Sequence, residues 1–195
     1  MMEIISWICR KQSIDNQNGE IMDQKLWQDA VDFHGHECGG LALGVRAAME
    51  AQKRFDIERS HDEEVVCVTE NDACCVDGIQ YIIGCTLGKG NLIYHGTGKF
   101  AFNFFDRRTG DSFRLMARDK KEGLHGREYI DFVLSAPLEE VFDVSKPRID
   151  VPVKAKNLKS LKCDICGEKA PENKMRLMDG KVVCLDCYTD YNRGW

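Results

Sequence analysis

Phe33-His34-Gly35-His36-Glu37-Cys38-Gly39-Gly40 sets two imidazoles and one thiol at alternate positions within five residues. Its three glycines leave the backbone free to bend and to approach other groups closely. Run out as an extended segment, the stretch turns His34, His36 and Cys38 to one side. That is a nitrogen and sulfur donor set suited to zinc and its first-row neighbours. The alternative is a glycine-rich connection between helices that carries an incidental histidine pair. The flanks speak for helices. Asp23 is an N-cap, and Leu26, Trp27, Ala30 and Val31 form an apolar stripe at helical spacing. His34 continues the stripe and Gly35 fits the left-handed position past a helix end, so His34 reads as a core-facing or end-capping residue before a ligand. A second helix is expected from Gly39 to about Phe55, with Leu41, Ala42, Val45, Ala48 and Met49 inward. Cys38 then stands at its N-terminus, where unpaired N–H groups and the helix dipole favour a thiolate.

Working outward, Val65 to Thr69 reads as a buried strand with Cys67 in the core, since a free cysteine packs as a small hydrophobe. A polar turn follows, in which Asn71 or Asp72 caps a helix with Cys74 in its first turn and Asp77 one turn along on the same face. Cys75 shares its helical face with Ile79 and Ile82 and is expected in the core. Cys85 stays outside any cluster at Cys74, because ten or so residues of helix separate them by ~15 Å. Thr86 to Asn91 is glycine-rich with one lysine, Lys89, a possible positive charge for an anionic ligand. It follows a helix and precedes a strand, the reverse of the order a phosphate-binding loop needs.

Three strands are expected next, Asn91 to Tyr94, Lys99 to Phe105 and Ser112 to Ala117, joined by turns of hairpin-like length. Phe100, Phe102 and Phe104 alternate as on a half-buried antiparallel strand. A helix to Ser135, a short helical turn over Leu138 to Phe142, and an edge strand over Pro147 to Pro152 complete this part. Residues 154 to 162, rich in lysine, read as a linker. Residues 1 to 22 read as an N-terminal arm, which leaves 23 to 153 as the core domain and 163 to 195 as a small module.

In that module Cys163-Asp164-Ile165-Cys166 and Cys184-Leu185-Asp186-Cys187 stand seventeen residues apart. Two such pairs close a tetrahedron of thiolates about a structural zinc, and the segment is too short to bury an adequate core without that staple. A hairpin turning at Asp179-Gly180 and a terminal helix over Leu185 to Tyr191 are expected within it.

The composition narrows the class. With 43% apolar and 30% charged residues the chain is globular, and a net charge of −5 argues against a non-specific nucleic-acid binder. From residue 151 onward nine Lys and Arg face six Asp and Glu, too small a surplus to change that. Ten cysteines without a secretory segment point to the cytoplasm, with thiols free or on metal. No apolar run is long enough to span a bilayer.

Phe33 through Arg46, Glu70 through Cys74 with Asp77 through Gln80, and Gly84 through Leu92 together resemble the FmdE family of formylmethanofuran dehydrogenase subunits. The C-terminal module resembles the treble-clef finger appended to some members. The resemblance implies an α+β, thioredoxin-like core, a mixed β-sheet flanked by helices, with a site able to take zinc or another transition metal. His36, Cys38 and Cys74 match the family's motif positions and are its candidate ligands. Gly39 stands where many members carry proline, a substitution expected to loosen the site. The family name implies a metal-binding accessory protein of molybdenum or tungsten C1 enzymes, with a protein partner. The Phe-rich strands and the N-terminal arm suggest a homodimer. Two other functions compete. One is an enzyme whose metal activates water, with Cys38, Cys74 and Asp77 as catalytic candidates and Asp77 or Glu37 moving protons. The other is a thiol redox protein using Cys38 or Cys74.

Overall fold

A computed structural model describes residues 23–191, so the expected arm at 1–22 lies outside the described residues. The chain divides into two compact units, one running to Lys154 and the other beginning at Ala155. The first unit is α+β. Helix α1 (Gln24–His34) starts where Asp23 accepts the N–H of Lys25 and stops at Gly35, whose φ of 96° only glycine adopts readily. Helix α2 (Gly39–Phe55) starts at Cys38, whose sulfur accepts the N–H of Leu41 at 3.2 Å. These helix boundaries are the ones expected.

Strand β1 (Val65–Thr69) leads into helix α3 (Cys75–Ile82) and then strand β2 (Leu92–Tyr94). Strands β3 (Ala101–Asp106), β4 (Ser112–Ala117) and β5 (Phe142–Ser145) follow, with helices α4 (Gly126–Ser135) and α5 (Leu138–Val141) between the last two. The sheet order is β2-β1-β3-β4-β5, with β1 and β2 parallel and the other pairs antiparallel. Strand β2 therefore forms no hairpin with β3. A β-α-β connection through α3 lays it parallel to β1, and β3 takes the other side of β1.

The expected half-buried strand is also corrected. Every residue of β3 is buried, with Phe102 and Phe104 packed under the helices and Phe105 on the far face with Val66 and Val68. Phe100 lies outside the strand. The three phenylalanines of β3 thus fill the inside of the unit and supply no surface for a second copy. The expected edge strand at Pro147 to Pro152 is not formed; β5 is the edge in its place.

Arginines from distant positions close three helices. Arg59 donates to the carbonyls of Gln80, Tyr81 and Ile82 at the end of α3. Arg46 donates to Leu134 and Ala136 after α4, and Arg108, held by Asp106, donates to Phe55 at the end of α2. Each guanidinium serves carbonyls that lack an intrahelical partner and offsets the negative helix end. On the far side of the sheet Glu70 pairs with Arg114 at 2.7 Å and accepts from Asn103 and Thr97. These donors, Arg114 first, hold its carboxyl down at about 2 against the opposing effect of burial.

The second unit is built from two hairpins. Strands β6 (Ser160–Lys162) and β7 (Lys169–Pro171) flank the first cysteine pair, so the end of the expected linker is already structured. A 3₁₀ turn, Glu172–Lys174, leads to β8 (Met175–Met178) and β9 (Lys181–Cys184), joined at Asp179 and Gly180, both with positive φ, as a two-residue type I′ hairpin requires. Residues 185–191 form a turn and an irregular segment where a terminal helix was expected. Among the described residues no helix is long and apolar enough to cross a membrane.

Candidate metal centres

Helices α2 and α3 carry Cys38 and Cys74 at their N-termini, and glycines bring those ends together. A Cβ on Gly44 would lie 1.9 Å from the carbonyl oxygen of Cys75, and one on Gly78 would lie 2.5 Å from the nitrogen of Val45. The two backbones touch, a distance that only residues without side chains permit. Gly40 serves the same end, since a Cβ there would stand 3.2 Å from that of Cys74. At Gly39 the ring of Tyr129 occupies the space a Cβ would need, at 2.6 Å.

Donor atoms of His34, His36, Cys38 and Cys74 all lie within 4.8 Å of one another. The three residues carried by the resemblance are brought together, and His34 joins them. Read from sequence as a core-facing or end-capping residue, His34 ends α1 with its side chain 9% exposed and its Nε2 3.9 Å from the Cys38 sulfur. Its Nδ1 sits 2.7 Å from a carboxylate oxygen of Asp77. An ionised carboxylate only accepts, so Nδ1 carries the proton and the Nε2 lone pair faces the cluster. A carboxylate behind an imidazole in this way fixes the ring and raises its basicity as a ligand. The alternation His34, His36, Cys38 was the signal for this residue; the helix-end pattern overrode it.

Asp77 is thus a brace, held in turn by the Gln80 amide at 3.1 Å. Glu37 points elsewhere: Arg127 donates to both its oxygens at 3.0 Å, and Trp27 donates at 3.4 Å. Asp77 is paired with an imidazole and Glu37 with a guanidinium. Burial first, then the Cys38 thiol beside it, pushes Cys74 above the ordinary thiol range. Two thiols and two imidazoles in so small a volume form a donor set that fits a divalent, borderline-soft ion, which supplies the charge to hold both sulfurs as thiolates. Replacing Asp77 with Asn is expected to weaken metal binding at this cluster by ~10- to 100-fold, read by competition with a chromophoric chelator. Unchanged affinity rejects the brace.

The remaining core thiols stand apart. Cys67, Cys75 and Cys85 are fully buried; burial raises all three, Cys75 and Cys85 to about 12. Cys85 donates to the Val65 carbonyl and Cys75 to the Asn71 side chain. Lys89 donates its ammonium to the Ser60 carbonyl at 2.7 Å.

In the second unit the donor atoms of Cys163, Cys166, Cys184 and Cys187 also lie within 4.8 Å of one another. The sulfurs of Cys166 and Cys184 are 3.8 Å apart, close to the ~3.8 Å edge of a tetrahedron with zinc–sulfur bonds of ~2.3 Å. Backbone N–H groups, that of Cys184 first, hold Cys163 down at about 6. Cys187 is pushed up to about 12, first by the Cys184 thiol and then by burial. Thiols so close ionise together only around a cation. Gly167, with φ of 77°, turns the chain tightly after the first pair.

Comparison with known proteins places both halves. Residues 33–143 match the family model described as FmdE, molybdenum formylmethanofuran dehydrogenase operon, and residues 157–193 match the prokaryotic dksA/traR C4-type zinc finger. The chain is similar to a probable S-adenosyl-L-methionine-binding protein of Archaeoglobus fulgidus, 28% identical over 200 residues, 86% of this chain and 53% of that one. It therefore spans about half the length of that curated relative. The fold is similar to that of a tungsten formylmethanofuran dehydrogenase FmdE-like protein from Syntrophus aciditrophicus, with a TM-score of 0.62 at 19% identity over 88% of this chain and 96% of that one. With the family model covering more than half its length and the four-cysteine unit matching the second model, the chain belongs to the FmdE family and carries a C4-type zinc finger at its C-terminus.

Proposed function

We propose that this protein holds two metal ions with different tasks. A structural zinc sits at Cys163, Cys166, Cys184 and Cys187. A second, functional zinc or related transition metal sits in the core at His34, His36, Cys38 and Cys74, where an accessory protein of a molybdenum or tungsten C1 enzyme presents it to a ligand or partner. The observation that carries the core assignment is the convergence of four donor atoms within 4.8 Å, one of them backed by the carboxylate of Asp77. The link to C1 metabolism rests on the family description.

A thioredoxin-like core and a cytoplasmic setting belong to the same reading. The parallel β1 and β2 joined through α3, with β3 antiparallel beside β1, support the first. Unpaired thiols throughout the described residues support the second. A water-activating enzyme is a competing reading, with the His34–Asp77 pair as its proton carrier. Cys38 and Cys74 remain close enough for thiol redox chemistry to be a second.

Metal analysis tests the proposal. The wild-type chain is expected to carry two ions, and Cys38→Ser one, with the helical circular dichroism of the core retained. Full retention of both ions in Cys38→Ser, or a Cys38–Cys74 pair that cycles as a disulfide without metal, sinks it.

A further inference from the structure

A cavity of about 730 Å³ opens beside the core cluster, with His34, Cys74 and Asp77 among its lining residues. Its size is that of a small-molecule site. Val76 and Leu92 supply apolar wall, and Leu87 and Tyr94 line it while 67% and 54% exposed. The charges on its wall are one-sided: Asp72 and Asp77 line it, and among the described residues no Lys or Arg does.

Thr69 and Asn71 spend their polar atoms within the protein. Thr69 donates its hydroxyl to the Asn71 carbonyl at 2.8 Å. Asn71 donates to Lys99 and accepts from Ala73 and Cys75. The Gln80 amide nitrogen is held by Asp77. Asp72 is exposed and has no hydrogen bond or ion pair among the described residues. The wall thus presents a free carboxylate next to uncovered aromatic and aliphatic surface.

We infer that this cavity takes an organic cation with an apolar or aromatic body, its charge beside Asp72 and its body against Tyr94 and Leu87. Attraction to the carboxylate and to the face of Tyr94 act in the same direction. The inference rests on the core being a metal centre, because a divalent ion offsets the Cys38 and Cys74 thiolates and leaves the carboxylates as the cavity's net charge.

Two probes of one body and opposite charge test it: 2-phenylethylammonium and phenylacetate, titrated into the zinc-loaded full chain by ligand-observed NMR, with zinc content measured on the same sample. The ammonium is expected to bind about tenfold tighter or more, and Asp72→Asn to weaken it about fivefold without weakening phenylacetate or changing zinc content. Equal affinities, a preference for phenylacetate, binding of neither probe, or an Asp72→Asn chain that keeps the wild-type preference overturns the inference. One zinc per chain counts against the metal centre instead, and the Asp72→Asn comparison in that sample still decides the cavity.

Discussion

Cys163→Ser is expected to cost the protein one zinc and the fold of its second unit, while the first unit stays folded. The buried residues of that unit are Cys163, Met175, Val183 and Cys184, two of them members of the four-cysteine cluster itself. So small a cluster is too little core to keep a segment of this length folded by itself. Metal binding is therefore coupled to its folding, as in other small zinc modules. The sulfur of Cys163 also accepts the N–H of Cys184 at 3.3 Å, so the substitution removes a ligand and disturbs the knuckle together. Metal analysis with amide NMR reads both effects: one ion lost, and the signals of residues 155–191 collapsed into the unfolded range. A dispersed spectrum for those residues without zinc would falsify the structural assignment.

The second large effect is expected at Gly44→Ala. The added methyl would fall 1.9 Å from the Cys75 carbonyl oxygen and 2.6 Å from its carbon, and backbone offers no rotamer by which to yield. Overpacking of this kind costs ~3 kcal/mol or more, because α2 and α3 must separate along their contact. The separation carries Cys38 away from Cys74, so core metal affinity is expected to fall by ~10- to 100-fold. Gly88→Ala is the control: nothing lies within 4 Å of a Cβ there. Urea denaturation and chelator competition on the two variants decide the matter. A Gly44→Ala protein as stable and as well loaded as Gly88→Ala rejects the close-crossing account.

Elements whose causes lie within a few residues were legible in the chain. Asp23 and Gly35 bound α1, Cys38 starts α2, and Asp179-Gly180 turns the last hairpin, each through a backbone conformation or a cap that neighbouring residues dictate. The spacing of the four C-terminal cysteines likewise carried its meaning in sequence alone. What failed concerned partners remote in sequence. Strand β2 precedes a turn of hairpin length, yet its hydrogen bonds go to β1 in parallel, a choice made by how α3 packs. The run from Phe100 to Phe105 alternates like a one-sided strand, but the sheet is covered on both faces at β3, so its polar-looking side is buried too. The terminal helix of the finger was expected from local pattern, and the chain turns there instead.

The sequence by itself determined that a histidine-rich bend leads into a helix started by Cys38, that another helix starts at Cys74 and that a four-cysteine module follows, because capping and ligand spacing are short-range matters. Only the tertiary structure decided that those helices cross at two glycines and that His34 faces the cluster. Its orienting partner, Asp77, lies 43 residues away on α3, beyond the reach of any local pattern around α1.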